Sequence, residues 1–140
     1  MRKRRLTLIE KKVLIEEISG ILKKKEYILF AYLFGSFIST DVFKDIDIGV
    51  FISGAESKSL LKLELMLEGE VEDAIHLPVD IRAINNAPLS FVYNMLKGGI
   101  VIVDNNKHLR SDFEGLVYKK YFDFQHIRNE YLREIINAPL

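Results

Sequence analysis

Two aspartates stand at alternate positions in an otherwise apolar stretch, Asp45-Ile46-Asp47-Ile48-Gly49-Val50-Phe51-Ile52, and no other feature of the chain restricts its fold as tightly. Alternation with period two predicts a strand over 45–52. Residues two apart in a strand share a face. Asp45 and Asp47 therefore project together, while Ile46, Ile48 and Val50 turn the other way into a core. Aspartate is a poor strand former. Two neighbouring carboxylates also repel, and in a partly buried setting one is driven toward protonation unless a cation is bound. The plainer readings, an edge pair turned to solvent or an N-cap and turn residue, fit poorly with the apolar residues on both sides.

The flanking sequence sets this strand in a mixed series. Thr7-Leu8-Ile9-Glu10 has the form of a capping box. Leu14, Ile18, Ile21 and Leu22 follow at helical spacing, so 8–25 reads as a helix. Residues 27–34, YILFAYLF, are aromatic and aliphatic throughout, which predicts a strand buried on both faces. Gly35-Ser36 ends it, and 37–43 form either one turn of helix or a loop. After a loop at 53–57, a helix is expected over 58–75 and a strand over 77–84, with Pro78 tolerated near its start. Asn85-Asn86-Ala87-Pro88 reads as a turn into a helix at 88–97. A strand at 98–104 follows a glycine stop, and 106–137 is helical with a break expected near Asp123. The expected fold class is α+β: one domain of 140 residues with a short mixed sheet, helices mainly on one face and a long C-terminal helical segment.

Composition excludes several classes. The 20 basic and 20 acidic side chains cancel, so bulk attraction to nucleic acid is not expected. The absence of cysteine rules out a disulfide scaffold, a thiolate metal site and a cysteine nucleophile. The most apolar segment, 27–34, is far shorter than the roughly 20 residues of a membrane-spanning helix. The N-terminus lacks the pattern of a secretory signal. A soluble, cytoplasmic protein is expected. The basic run Arg2-Lys3-Arg4-Arg5 reads as a solvated tail, with a functional contact as the sharper alternative.

A third acid fits the scheme of the first two. Asp80 lies mid-strand in Pro78-Val79-Asp80-Ile81-Arg82, and faces the Asp45/Asp47 pair if the two strands are neighbours. Three carboxylates on one sheet face suit divalent cations, because magnesium takes oxygen ligands and is commonly held by one or two carboxylates plus substrate phosphates. Two such ions promote in-line displacement at phosphorus. Gly35 lets backbone approach a phosphate without an intervening Cβ, and Ser36 adds a hydroxyl. The plainer readings are a tight turn at Gly35-Ser36 and an Asp80–Arg82 ion pair on a shared face. Arg82 either steadies a phosphate or neutralises the acids. Lys44 reads as a solvated loop charge, with a phosphate ligand as the sharper alternative. His76, His108 and His126 are too widely spaced for a metal set. A calcium loop lacks its glycine and distal glutamate. Tyr118, Tyr121, Phe122 and Phe124 read as packing against the sheet, with a protein-binding face as the alternative.

On these residues the chain resembles the minimal nucleotidyltransferases (MNT) of the DNA polymerase β-like superfamily. The shared pattern is Gly35-Ser36, a spacer of eight residues, Asp45-Ile46-Asp47, then Asp80 on a later strand. The resemblance covers about 27–104. It departs from the family in its short spacer and in Phe37, where an arginine often follows the Gly-Ser pair. It implies the nucleotidyltransferase fold, Asp45, Asp47 and Asp80 as catalytic ligands of two magnesium ions, and Gly35 and Ser36 as triphosphate contacts. ATP is the implied substrate. Because the chain has little room for an acceptor-binding domain, the implied partner is a HEPN-type ribonuclease toxin, neutralised by AMP transfer to one of its tyrosines. A homodimer or a hetero-oligomer with the toxin is compatible with this. The other readings are a non-catalytic antitoxin acting by contact, and nucleotidyl transfer to a small molecule.

Overall fold

The structure, a computed structural model, describes residues 3–54 and 57–137, the side chains of Ser57 and Lys58 excepted. Arg2 and part of the expected 53–57 loop lie outside the described residues. In chain order the elements are β1 (Arg4–Arg5), α1 (Leu8–Lys23), β2 (Ile28–Phe34), α2 (Ser36–Ser39), β3 (Val42–Phe43) and β4 (Ile46–Ile52). They continue with α3 (Ser57–Ile75), β5 (Val79–Ala83), α4 (Leu89–Gly98), β6 (Ile100–Asp104) and α5 (Lys107–Asn137). The capping box at Thr7 forms in both directions, Glu10 N–H to Thr7 Oγ1 at 3.1 Å and Thr7 N–H to Glu10 Oε1 at 3.0 Å. Residues 37–43 divide between the short α2 and β3. The break expected near Asp123 is absent, because α5 runs unbroken through it.

Four strands form the main sheet in the order β5-β4-β2-β6. β4 and β5 are parallel and the other pairs antiparallel, so the sheet is mixed. β2 is central and buried on both faces, as its uninterrupted apolar run requires. Ala31 and Leu33 enter one core, under α1 and α3, and Phe30 and Tyr32 enter another, under α4 and the first half of α5. The helices therefore divide between the two faces, where the sequence suggested mainly one. The reason lies in α4 and α5, whose Phe91, Val92, Met95, Phe113 and Val117 cover the aromatic side chains of β2 and β4. Tyr118 and Tyr121 pack against α4 and not on the sheet: Tyr121 stacks on Tyr93 with ring centroids 3.6 Å apart.

An edge strand leaves a row of N–H groups unpaired. On β5 these are taken by three glutamates of α3. Glu72 Oε1 accepts from Val79 N–H at 2.9 Å, Glu68 Oε2 from Ile81 N–H at 2.8 Å, and Glu64 from Ala83 N–H. The spacing explains the match. Four residues of helix rise about 6 Å and two residues of strand about 6.6 Å, so glutamates four apart meet amides two apart. β5 is thereby locked beside β4, where Asp80 is held. His76, at φ 58°, ends α3 in a left-handed turn and redirects the chain into β5.

A second, smaller sheet joins the ends of this frame. β1 pairs antiparallel with β3, Arg4 opposite Phe43 and Arg5 opposite Val42. The basic run is therefore not a free tail across its described residues: it is stitched to the segment between Gly35-Ser36 and the acids. Lys11 of α1 fastens the same segment from the other side, donating from Nζ to the carbonyls of Phe37 at 2.8 Å and Thr40 at 3.0 Å.

Candidate active site

The acids assemble from two strands and one bend. Asp47 lies in β4 directly opposite Asp80 in β5, in register across the parallel pair. Because Ile46, Ile48, Val79 and Ile81 all point into the aliphatic core, alternation turns Asp47 and Asp80 to the opposite face together. Asp45 differs from its expected place: it sits in the bend just before β4, not within the strand. It still acts on Asp47. The Asp47 carboxyl is pushed up to about 6, first by burial, then by the negative charges of Asp45 and Asp80, with Arg82 pulling the other way.

Gly35 is fitted to this carboxylate. It follows β2 with φ 81° and ψ −161°, a backbone conformation essentially reserved for glycine. A Cβ built there would lie 2.2 Å from Asp47 Oδ2. Glycine thus serves twice, turning the chain into α2 and leaving room for the acid. Ser36 opens α2, and its carbonyl accepts from Thr40 Oγ1 at 2.9 Å. Phe37, the residue after Gly-Ser, is fully buried and meets Phe43 edge to face. Position 37 is therefore a core position and not a phosphate contact.

Features around the acids go beyond the Asp80–Arg82 pair that the sequence predicts. Glu68, besides capping Ile81, has its carboxyl pushed up, first by burial and then by the negative charge of the neighbouring Asp80. Its spacing with Glu64 and Glu72 was the available signal. Arg82 forms the expected pair with Asp80, Nε to Oδ2 at 3.5 Å, on a half-exposed surface where such a pair contributes little to stability. Its guanidinium also lies 5.5 Å over the ring of Phe91, which in turn meets Phe34 edge to face. An aromatic wall thus flanks the acids on the α4 side. Finally, Lys3, Ser36, Lys44 and Asp45 border a cavity of about 350 Å³.

The donor set suits a hard divalent cation. It consists of oxygen alone, and Asp47 is destabilised as an anion by burial and then by its acidic neighbours, which a bound cation offsets. Among the described residues, no group of three or more acids or histidines is placed so as to hold a metal ion by itself. Magnesium does not ask for one, since substrate phosphates and water complete its shell. Among the described residues no helix is long and apolar enough to cross a membrane.

Comparison with known proteins places this geometry. Residues 16–108 match the family described as Polymerase beta, Nucleotidyltransferase. No curated protein matches the sequence significantly. Among solved structures, a chain of the tri-AMPylated Shewanella oneidensis HEPN toxin in complex with MNT antitoxin is similar at 17% identity and TM-score 0.66, over 90% of this chain and 98% of that one. A chain of the MntA-HepT toxin-antitoxin structure is similar at 17% identity and TM-score 0.66, over 89% and 98%. A chain of a toxin-antitoxin structure with AMP-PNP follows at 16% identity and TM-score 0.63, over 93% and 99%. At these identities the likeness establishes a shared fold. The match over residues 16–108 spans α1's second half through β6 and so contains Asp45, Asp47 and Asp80, and the chain belongs to the polymerase beta nucleotidyltransferase family.

Proposed function

We propose that this nucleotidyltransferase is a cytoplasmic antitoxin that transfers AMP from ATP to a tyrosine of a HEPN ribonuclease toxin. The observation that carries the reading is the register of Asp47 with Asp80, beside a glycine whose missing Cβ makes room for the first of them. The choice of acceptor follows the fold's neighbours, one of which contains an AMPylated HEPN toxin bound to an MNT antitoxin.

Asp45, Asp47 and Asp80 would hold two magnesium ions in this scheme, with substrate phosphates completing their shells. When bound, they neutralise the phosphates and favour in-line displacement. Gly35 brings backbone close to the triphosphate and Ser36 donates its hydroxyl to it. Asp80 accepts the tyrosine proton as the phenolic oxygen bonds the α-phosphorus. The bond from the α-phosphorus to the bridging oxygen breaks, and pyrophosphate leaves with the electron pair. Burial of Asp47 beside β2 lowers the local dielectric, which strengthens each of these charge interactions.

One observation favours a second reading, inhibition by contact alone. Beyond Val117, α5 carries Phe124, Ile127, Tyr131 and Ile135 in the open, each at least half exposed. Incubation of the toxin with this protein and Mg-ATP, followed by intact mass measurement, separates the two. Addition of AMP by the wild type and none by Asp47→Ala supports the transferase. Full neutralisation by Asp47→Ala with no change in toxin mass establishes the binder.

A further inference from the structure

The spacer between Gly35-Ser36 and Asp45 contains a single basic residue, Lys44. Phe37 is buried, so that position supplies no charge to a phosphate. A nucleoside triphosphate carries several negative charges, and charge-assisted hydrogen bonds from cationic side chains are the strong means of holding them. Resting on the proposed nucleotidyl transfer, we propose that Lys3, brought in by the N-terminal strand, joins Lys44 to bind the polyphosphate tail of the nucleotide.

Three observations carry this. The first is topological: β1 pairs with β3 in the register Arg4–Phe43 and Arg5–Val42, and its continuation sets Lys3 opposite Lys44. The second is chemical. Both lysines are exposed, and neither forms an ion pair among the described residues. Like charges directly opposite each other across an antiparallel pair are destabilising. An anion between them turns that repulsion into attraction. The third is spatial: both lysines line the same cavity of about 350 Å³ as Ser36 and Asp45. The lysines thus stand at one end of the candidate site, beside the serine proposed to meet the triphosphate and one of the acids proposed to hold its metal. The basic run then has a specific task. Its two strand residues, Arg4 and Arg5, anchor the segment, and Lys3 delivers the charge.

The test is titration calorimetry of the full chain in magnesium with ATP, AMP and inorganic pyrophosphate, for the wild type, Lys3→Ala, Lys44→Ala and the double Lys→Arg variant. Loss of a charged hydrogen bond predicts that each alanine weakens ATP and pyrophosphate about tenfold or more, while AMP changes less than about twofold. The arginine pair restores ATP binding. Thermal midpoints within the wild-type range confirm that these exposed positions leave the fold intact. Unchanged ATP affinity in both alanine variants, or equal weakening of ATP and AMP, overturns the inference and leaves the transferase reading standing. A wild type that takes up no ATP in magnesium overturns both.

Discussion

Neighbouring residues of β4 and β5 face two different chemistries. Toward α1 and α3 the strands present Ile46, Ile48, Val50, Val79 and Ile81, none more than 6% exposed. Toward α4 the same strands present Asp47, Gly49, Asp80 and Arg82. One face is hydrocarbon, closed and stabilising. The other holds a carboxyl pushed up to about 6 by burial and by two more acids, an arrangement that costs stability until a cation is present. The contrast teaches that period-two alternation does more here than separate inside from outside. It lets one face supply the stability that the other face spends.

The sharpest way to break the comparison is to exchange the two roles by mutation. Asp47→Asn is expected to reduce the proposed AMP transfer by roughly a thousandfold, the scale of losing a central electrostatic group in an active site. Its thermal midpoint in metal-free buffer is expected to match or exceed the wild type. Ile48→Ala, one residue on, should do the reverse. It is expected to lose about 3 kcal/mol of unfolding free energy in a urea titration, because a fully buried isoleucine leaves a cavity behind. If Asp47→Asn proves the less stable of the two, the division of labour between faces is wrong.

Gly35→Ala joins the two properties. The backbone conformation alone predicts a loss of about 1–3 kcal/mol. The added Cβ also displaces Asp47 Oδ2, so activity should fall further than stability explains. Activity and denaturation measured on the same preparation check this. Glu68→Ala tests the edge of the sheet. With the Ile81 N–H left without its 2.8 Å partner, about 1 kcal/mol of stability should be lost. Amide hydrogen exchange at Ile81 should accelerate while Ile48 stays protected.

The smallest effect is one of pH. In the absence of divalent cations Asp47 holds its proton more tightly folded than unfolded, so the folded state binds more protons between its ordinary value of 3.8 and about 6. Stability should therefore rise as pH falls from neutrality through about 6. Glu64 and Glu68 are shifted in the same direction by burial. Glu10 is shifted down, so its contribution is lost as pH falls from the ordinary 4.5 through its lowered value, beneath the pH 5 end of the measurement. Thermal midpoints of the metal-free protein at neutral pH and near pH 5 should show the rise. Asp47→Asn should flatten it, and a fall in the wild type would contradict the burial of Asp47.

Much of the fold was legible because its signals are local. Leu14, Ile18 and Leu22 mark α1 by spacing, Thr7 and Glu10 mark its start, and the unbroken run of β2 announces burial on two sides. The misreadings share one physical cause. Nothing local in Asp123 shows that α5 continues past it, because helix continuity there depends on the whole segment and not on one poor helix former. Nothing local in Lys3-Arg4-Arg5 shows a partner, because β1 exists only by pairing with residues 42 and 43.

By itself the sequence determined the kind of chemistry and most of the elements. Alternation set which residues share a face, and Gly35-Ser36, Asp45, Asp47 and Asp80 were in place as candidates before any coordinates. Tertiary structure alone decided that Asp47 and Asp80 are register partners, that glutamates of α3 close the edge beside them, and that Lys3, next to the N-terminal strand, borders a cavity with Ser36 and Asp45. The reason is the range of the interactions. Periodicity acts over one turn or two pleats and can be read from neighbours. Strand register and edge capping join residues more distant in the chain, and only the folded geometry chooses among their possible pairings.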